Sequence, residues 1–155
     1  MRRFELVTKE EFVKRIDIKY YNNIKIPERK TQQSAGYDFS ICKGEIIKKG
    51  ETRVFATGIK ASMEKDDFLA IFVRSSLGIK KDLMLANNVG IIDSDYYNNP
   101  DNEGHIMIAL KNVGDNDVEL KDGERVAQDI FLKYEVVDNE RQIKAKRLGG
   151  VGSTN

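Results

Sequence analysis

The sequence predicts a single all-β domain, a sandwich or barrel, and three observations carry that prediction. From Ile24 onward apolar, β-branched and aromatic residues fall in short runs broken by polar turns, the signature of many short strands. The two prolines, Pro27 and Pro100, both lie outside those runs. A length of 155 residues suits one core and leaves little for a second.

Taken in order, Thr8-Lys9-Glu10-Glu11 reads as a capping box that opens a short helix through about Arg15, with Thr8 accepting from a backbone donor and Glu11 reaching back. Strands are expected over Tyr37–Ile41, Glu45–Ile47, Thr52–Phe55, Gly58–Met63, Phe68–Val73, His105–Lys111, Val118–Leu120 and Arg125–Val137. Asp122-Gly123 reads as a hairpin turn between the last two, because both positions tolerate positive φ. Val89, Ile91 and Ile92 form a further hairpin arm, and the hydrophilic stretch Tyr97–Gly104 reads as the loop at a hairpin tip. From Asp138 onward the chain is too polar to build a core and is expected to be a mobile arm of the one domain, residues 1–155.

Composition excludes several classes of function. Twenty-six basic residues against twenty-five acidic ones leave a net charge of +1, so no global field steers the chain to nucleic acid or a membrane, and any bound anion must be held locally. The longest apolar run, Phe68–Val73, is far too short to span a bilayer. One cysteine, Cys42, cannot form an internal disulfide and, with no apolar leader over Met1–Glu5, points to the cytoplasm. His105 has no second histidine with which to build a transition-metal site and is read as structural.

Five segments carry candidate chemistry. In Asn87-Asn88-Val89-Gly90-Ile91-Ile92-Asp93-Ser94-Asp95-Tyr96 an apolar run delivers two carboxylates and an aromatic ring within four positions, where an unsatisfied buried charge is costly. Arg74-Ser75-Ser76-Leu77-Gly78 follows an apolar strand, so a guanidinium, hydroxyls and amides emerge together and can hold an anion, or simply make a surface turn. Gln128 sits among apolar neighbours and needs a partner for its amide, either ligand or backbone. Asp38, after Ala35-Gly36-Tyr37, can cap a turn. Gly149-Gly150-Val151-Gly152-Ser153-Thr154 can turn successive amides towards an anion, or form a frayed tail; the Lys that ends a Walker loop is absent.

Along the chain, Ala35–Asp38, Arg74–Gly78, Asn87–Tyr96, Gly123-Glu124-Arg125-Val126-Ala127-Gln128 and Gly149–Thr154 resemble, in order and spacing, the motifs of the homotrimeric deoxyuridine triphosphatases (dUTPases), over residues 24 to 154. The resemblance implies a jelly-roll-like β-barrel, a homotrimer with shared active sites, and hydrolysis of dUTP to dUMP and pyrophosphate. It implies Asp93 as the base that orients and deprotonates a water, with Asn87, beside Gly90, hydrogen-bonding uracil. Tyr96 would lie flat on the deoxyribose and refuse a 2′-hydroxyl. Arg74, Ser75, the amide of Ser76, Gln128 and the tail through Gly149, Gly150, Gly152 and Ser153 would meet the phosphates, and Asp38 would stand near Mg2+ through water. A near-neutral chain facing a triphosphate itself calls for a divalent cation. The sequence departs from the family where Val151 replaces the stacking aromatic, where Lys146 replaces the arginine with Arg147 one step out of register, and in the longer Tyr97–Gly104 loop. That loop, or the N-terminal helix, offers a surface for a regulatory protein partner, as in phage members of the fold. A dCTP deaminase would need a glutamate in the strand His105–Leu110, which has none.

Overall fold

The structure is a computed structural model that describes residues 1–151. Eleven strands and two short helices fill that span. Every strand pairing is antiparallel. A four-stranded sheet runs β2 (Tyr37–Ser40), β11 (Arg125–Lys133), β6 (Asp67–Val73), β8 (Gly90–Asp93), and a three-stranded sheet runs β4 (Thr52–Ala56), β9 (Met107–Asn112), β7 (Leu83–Leu85). Two ribbons complete the jelly-roll-like sandwich: β1 (Arg3–Leu6) with β5 (Ile59–Ser62), and β3 (Ile46–Ile47) with β10 (Val118–Glu119).

Period-two alternation explains the core. Phe39, Leu69 and Ile71 of the larger sheet face Phe55, Leu85, Ile108 and Leu110 of the smaller one, all buried in one apolar cluster. Burying each such side chain contributes about 1.5–3 kcal/mol. β6 is the pivot, paired on one side with β11 and on the other with β8. Among the described residues no helix is long and apolar enough to cross a membrane.

Several local expectations are corrected by tertiary partners. β1 escapes the sequence pattern because charged Arg3 and Glu5 alternate with Phe4, yet Phe4 packs at 5.2–5.4 Å from the rings of Tyr37, Phe39 and Phe131. The helix α1 (Lys9–Val13) stops short of Arg15, and only half of its capping box forms. Thr8 Oγ1 accepts from Glu11 N at 3.2 Å, but Glu11 is buried beside Arg15 and His105, and Thr8 N donates instead to Glu103 Oε2 at 3.1 Å. A 3₁₀ segment, Ile18–Asn23, follows and sets Tyr21 edge-on to Phe12 in a small second core with Val7 and Cys42. Burial pushes the Cys42 thiol up to about 12, so it stays an inert core group.

Neither of the two expected hairpins forms. Asp122-Gly123 is a turn with Gly123 at φ 72°, but β10 pairs with β3 while β11 pairs with β2 and β6. Likewise β8 and β9 belong to different sheets, so Tyr97–Gly104 crosses between layers instead of tipping a hairpin. β11 also ends at Lys133, four residues before its expected limit.

Candidate active site

β8 is an edge strand whose last residue, Asp93, lies opposite Phe68 near the start of β6. A 3₁₀ turn, Ser94–Tyr96, then carries Asp95 and Tyr96 over the sheet edge. Gly90, opposite Ile71, admits no side chain, because a Cβ there would come within 2.9 Å of the Ile71 Cβ. A cleft of about 600 Å³ opens here, lined by Asn87, Gly90, Ile91, Asp93, Tyr96 and Asn102, among others. Asp93 and Asp95 are half or more exposed, so their charges need no buried partner, contrary to the burial argument from sequence. Burial raises the Tyr96 phenol above its usual range, which keeps it a neutral hydrogen-bonding group.

The C-terminal arm returns over this cleft. Arg147 forms ion pairs with Asp95, at 2.6 Å, and with Asp93, and its guanidinium stands 6.0 Å from the centre of the Tyr96 ring. Its hydrogen bond to Asp95 raises the Arg147 pKa further. Gly149 is buried against Asp101, where a Cβ would approach Asp101 Oδ2 to 2.9 Å, and Val151 is exposed at the cleft mouth. Lys146 is exposed. Gly152 and Ser153 lie outside the described residues.

A second cluster forms at the opposite end of β6. Arg74 follows Val73 and opens the six-residue helix α2 (Ser75–Lys80), where the sequence suggested only a turn. Ser75 and Ser76 are exposed in its first turn, where their own N–H groups lack an intrahelical acceptor. Gln128 on β11 lies opposite Phe72 on one side and Asp38 on the other. Gly36 packs flat on the Gln128 side chain; a Cβ there would sit 2.1 Å from Gln128 Cγ. Arg125 donates to Asp38 Oδ2 at 2.7 Å. A pocket lined by Lys30, Asp38, Arg74, Ser75, Ser76, Arg125 and Gln128 gathers three cationic side chains and neutral donors about one carboxylate, an arrangement suited to a polyanion.

Within one chain the two clusters do not meet. Asp93 is level with Phe68 and Arg74 is six positions further along the strand, so at about 3.3 Å per residue their backbones lie roughly 20 Å apart. Sequence reading missed Arg15, Lys30 and Arg125 as pocket residues. Arg15 lies beyond the regular helix and is turned into the Asp93 cleft by its bond to Glu11 Oε1 at 3.0 Å, a contact that no motif marks.

Among the described residues no three His, Cys, Asp or Glu side chains converge as a metal cage. The single carboxylate of Asp38, already bound by Arg125, fits an outer partner of an ion that reaches it through water and is held mainly by phosphate oxygens.

The dUTPase family model matches residues 22–155. The deoxyuridine 5′-triphosphate nucleotidohydrolase of Lactococcus lactis subsp. lactis is 44% identical over 157 residues, spanning 99% of this chain and 97% of the relative. The crystal structure of dUTPase from Streptococcus mutans superposes with a TM-score of 0.75 at 42% identity, covering 88% of this chain and 99% of that one. The fold is shared also with the dUTPase from phage phi11 of S. aureus, at 17% identity and a TM-score of 0.69 over 94% of this chain and 97% of that one, whose structure shows a coordinated structural Mg(II) ion.

Proposed function

The chain belongs to the dUTPase family, and on that premise we propose that it hydrolyses dUTP to dUMP and pyrophosphate at sites shared between the copies of a homotrimer. The separation of the two clusters along β6 carries the shared-site part of this proposal. Attack at the α-phosphorus needs base and phosphate donors within hydrogen-bond reach of one centre, and roughly 20 Å of strand separates them in one chain. A cyclic trimer brings the Asp93 end of one copy against the Arg74 end of the next.

In that arrangement Asn87 and main-chain groups near Gly90 pair with uracil, and Tyr96 covers the deoxyribose. Cytosine would leave those buried groups unpaired. Arg74, Ser75, Ser76 and Gln128 hold the phosphates and stabilise the charge that grows in the transition state, with the glycine tail closing over them. Asp93 takes the proton of the attacking water. Arg147 is paired with Asp93, so that contact must open before the base can act, which leaves Arg147, beside Lys146, to meet phosphate. Magnesium, when bound, neutralises the triphosphate; Asp38 would orient its water shell and Arg125 would hold Asp38 in place.

Pyrophosphate release measured side by side with dUTP, dCTP and UTP tests the function. Release from dUTP alone is expected. Comparable release from dCTP or UTP would overturn the uracil and deoxyribose assignments.

A further inference from the structure

The crossover Tyr97–Gly104 is a compact bracket around Tyr96. Asn99 and Asn102, 5% and 6% exposed, grip that tyrosine at both ends. Asn99 Nδ2 donates to the Tyr96 carbonyl at 2.8 Å, and Asn102 Nδ2 donates to the phenol Oη at 2.8 Å. The phenol in turn donates to the His105 carbonyl at 3.0 Å. The two amides also bind each other, Asn99 Nδ2 to Asn102 Oδ1 at 2.7 Å, and Asn99 Oδ1 accepts from the main chain of Asp101 and Asn102. Gly104, at φ 82°, presses against the Tyr96 backbone, where a Cβ would lie 2.6 Å from the carbonyl oxygen.

The bracket is anchored from outside as well. Glu103 holds a left-handed φ of 58°, a conformation that costs a non-glycine residue roughly 1 kcal/mol or more unless its surroundings impose it. Here they do: its carboxylate accepts from Thr8 N and Oγ1 and pairs with Lys60 at 3.4 Å. Tyr97 Oη donates to Glu5 at 2.6 Å. A polar loop with two buried asparagines, strained backbone and ties to the N-terminal segment is far more ordered than a connection between sheets requires.

We infer that Asn102, supported by Asn99, is a positioning residue for sugar selection: it tethers the Tyr96 phenol so that the ring cannot swing away from a 2′-hydroxyl. A flat ring excludes the extra oxygen only while it stays put, and moving it breaks two hydrogen bonds and strands the buried Asn102 amide. This rests on the proposed role of Tyr96 against the deoxyribose.

The test compares the ratio of kcat/KM for dUTP to that for UTP in Asn102→Ala, Tyr96→Phe, their double variant and Tyr96→Leu, each confirmed folded by thermal melting. Asn102→Ala is expected to lower the ratio about three- to tenfold, the worth of one hydrogen bond, and Tyr96→Phe, which loses the bond to His105 as well, by at least as much. The double variant should lose no more than the worse single one, because both cut the same tether. Loss of fold alone would weaken both nucleotides in parallel and leave the ratio fixed. Tyr96→Phe keeps the ring and the loop amides, so it decides the matter even where Asn102→Ala does not fold. If Tyr96→Leu destroys the ratio while Tyr96→Phe, and Asn102→Ala where it folds, stay within about twofold of wild type, the ring needs no tether and the inference fails. Should Tyr96→Leu keep the ratio, sugar selection lies elsewhere and the underlying role of Tyr96 falls with it.

Discussion

Asp129→Asn should make the protein more stable, increasingly so as pH rises. Asp129 is fully buried on β11 between Tyr37 of β2 and Ile71 of β6, and neither carboxylate oxygen has a hydrogen-bond partner among the described residues. Burial alone therefore raises its pKa well above the usual carboxylate range. In the unfolded chain the same group ionises near pH 3.9. Above that pH the unfolded state has released a proton that the folded state retains, so the folded state binds more protons and stability falls as pH rises, until the folded pKa is passed. Each pH unit in that window costs about 1.4 kcal/mol. Asparagine has nearly the same shape and the same unsatisfied burial but no proton to lose, so the difference between variant and wild type isolates the carboxyl. Urea denaturation at fixed protomer concentration, from pH 4 to pH 8, should give a stability difference near zero at the acid end that grows by about 1.4 kcal/mol per unit above it and levels off once the folded pKa is passed. Parallel profiles would show that Asp129 is ionised in the folded protein and has a partner, which would refute the argument.

Other expectations follow from the site. Asp93→Asn should lower kcat about 10²- to 10⁴-fold while nucleotide binding persists, since shape is kept and the base is lost; single-turnover kinetics with equilibrium binding would check it, and retention of a tenth of kcat would remove Asp93 from that role. Asp93→Asn and Arg74→Ala, each inactive, should regain about a quarter of wild-type activity when denatured and refolded together in equal amounts, because one site in four then draws an intact aspartate and an intact arginine from neighbouring copies. A dead mixture would put both residues of a site on one chain. Val151→Phe should tighten uracil-nucleotide binding by part of the about 1–3 kcal/mol that a base–aromatic stack is worth, measured by calorimetry; an unchanged Kd would mean the arm does not cover the base.

The all-β class, the start of α1 at Thr8 and the grouping of chemistry around Asp93 and Arg74 were legible in the sequence. Each depends on periodicity or on residues a few positions apart, which the backbone places on one face or in one turn whatever the rest of the chain does. Strand partners were not legible. The expected hairpins dissolved because β8 pairs with β6 and β10 with β3, strands distant in sequence, and the choice of mate depends on which faces bury the most apolar surface together. Thr8 shows the same division within one residue: its side chain caps Glu11, three positions away, as expected, while its N–H binds Glu103, ninety-five positions away. Asp93 and Arg147 meet over a separation of fifty-four. Most telling is β6, since the sequence marks the strand itself and the groups around Arg74 and Asp93 but says nothing of where β8 pairs along it. The register of β6 with β8 sets those two groups roughly 20 Å apart, and that distance, a property of the folded sheet, is the observation on which the proposed shared site rests.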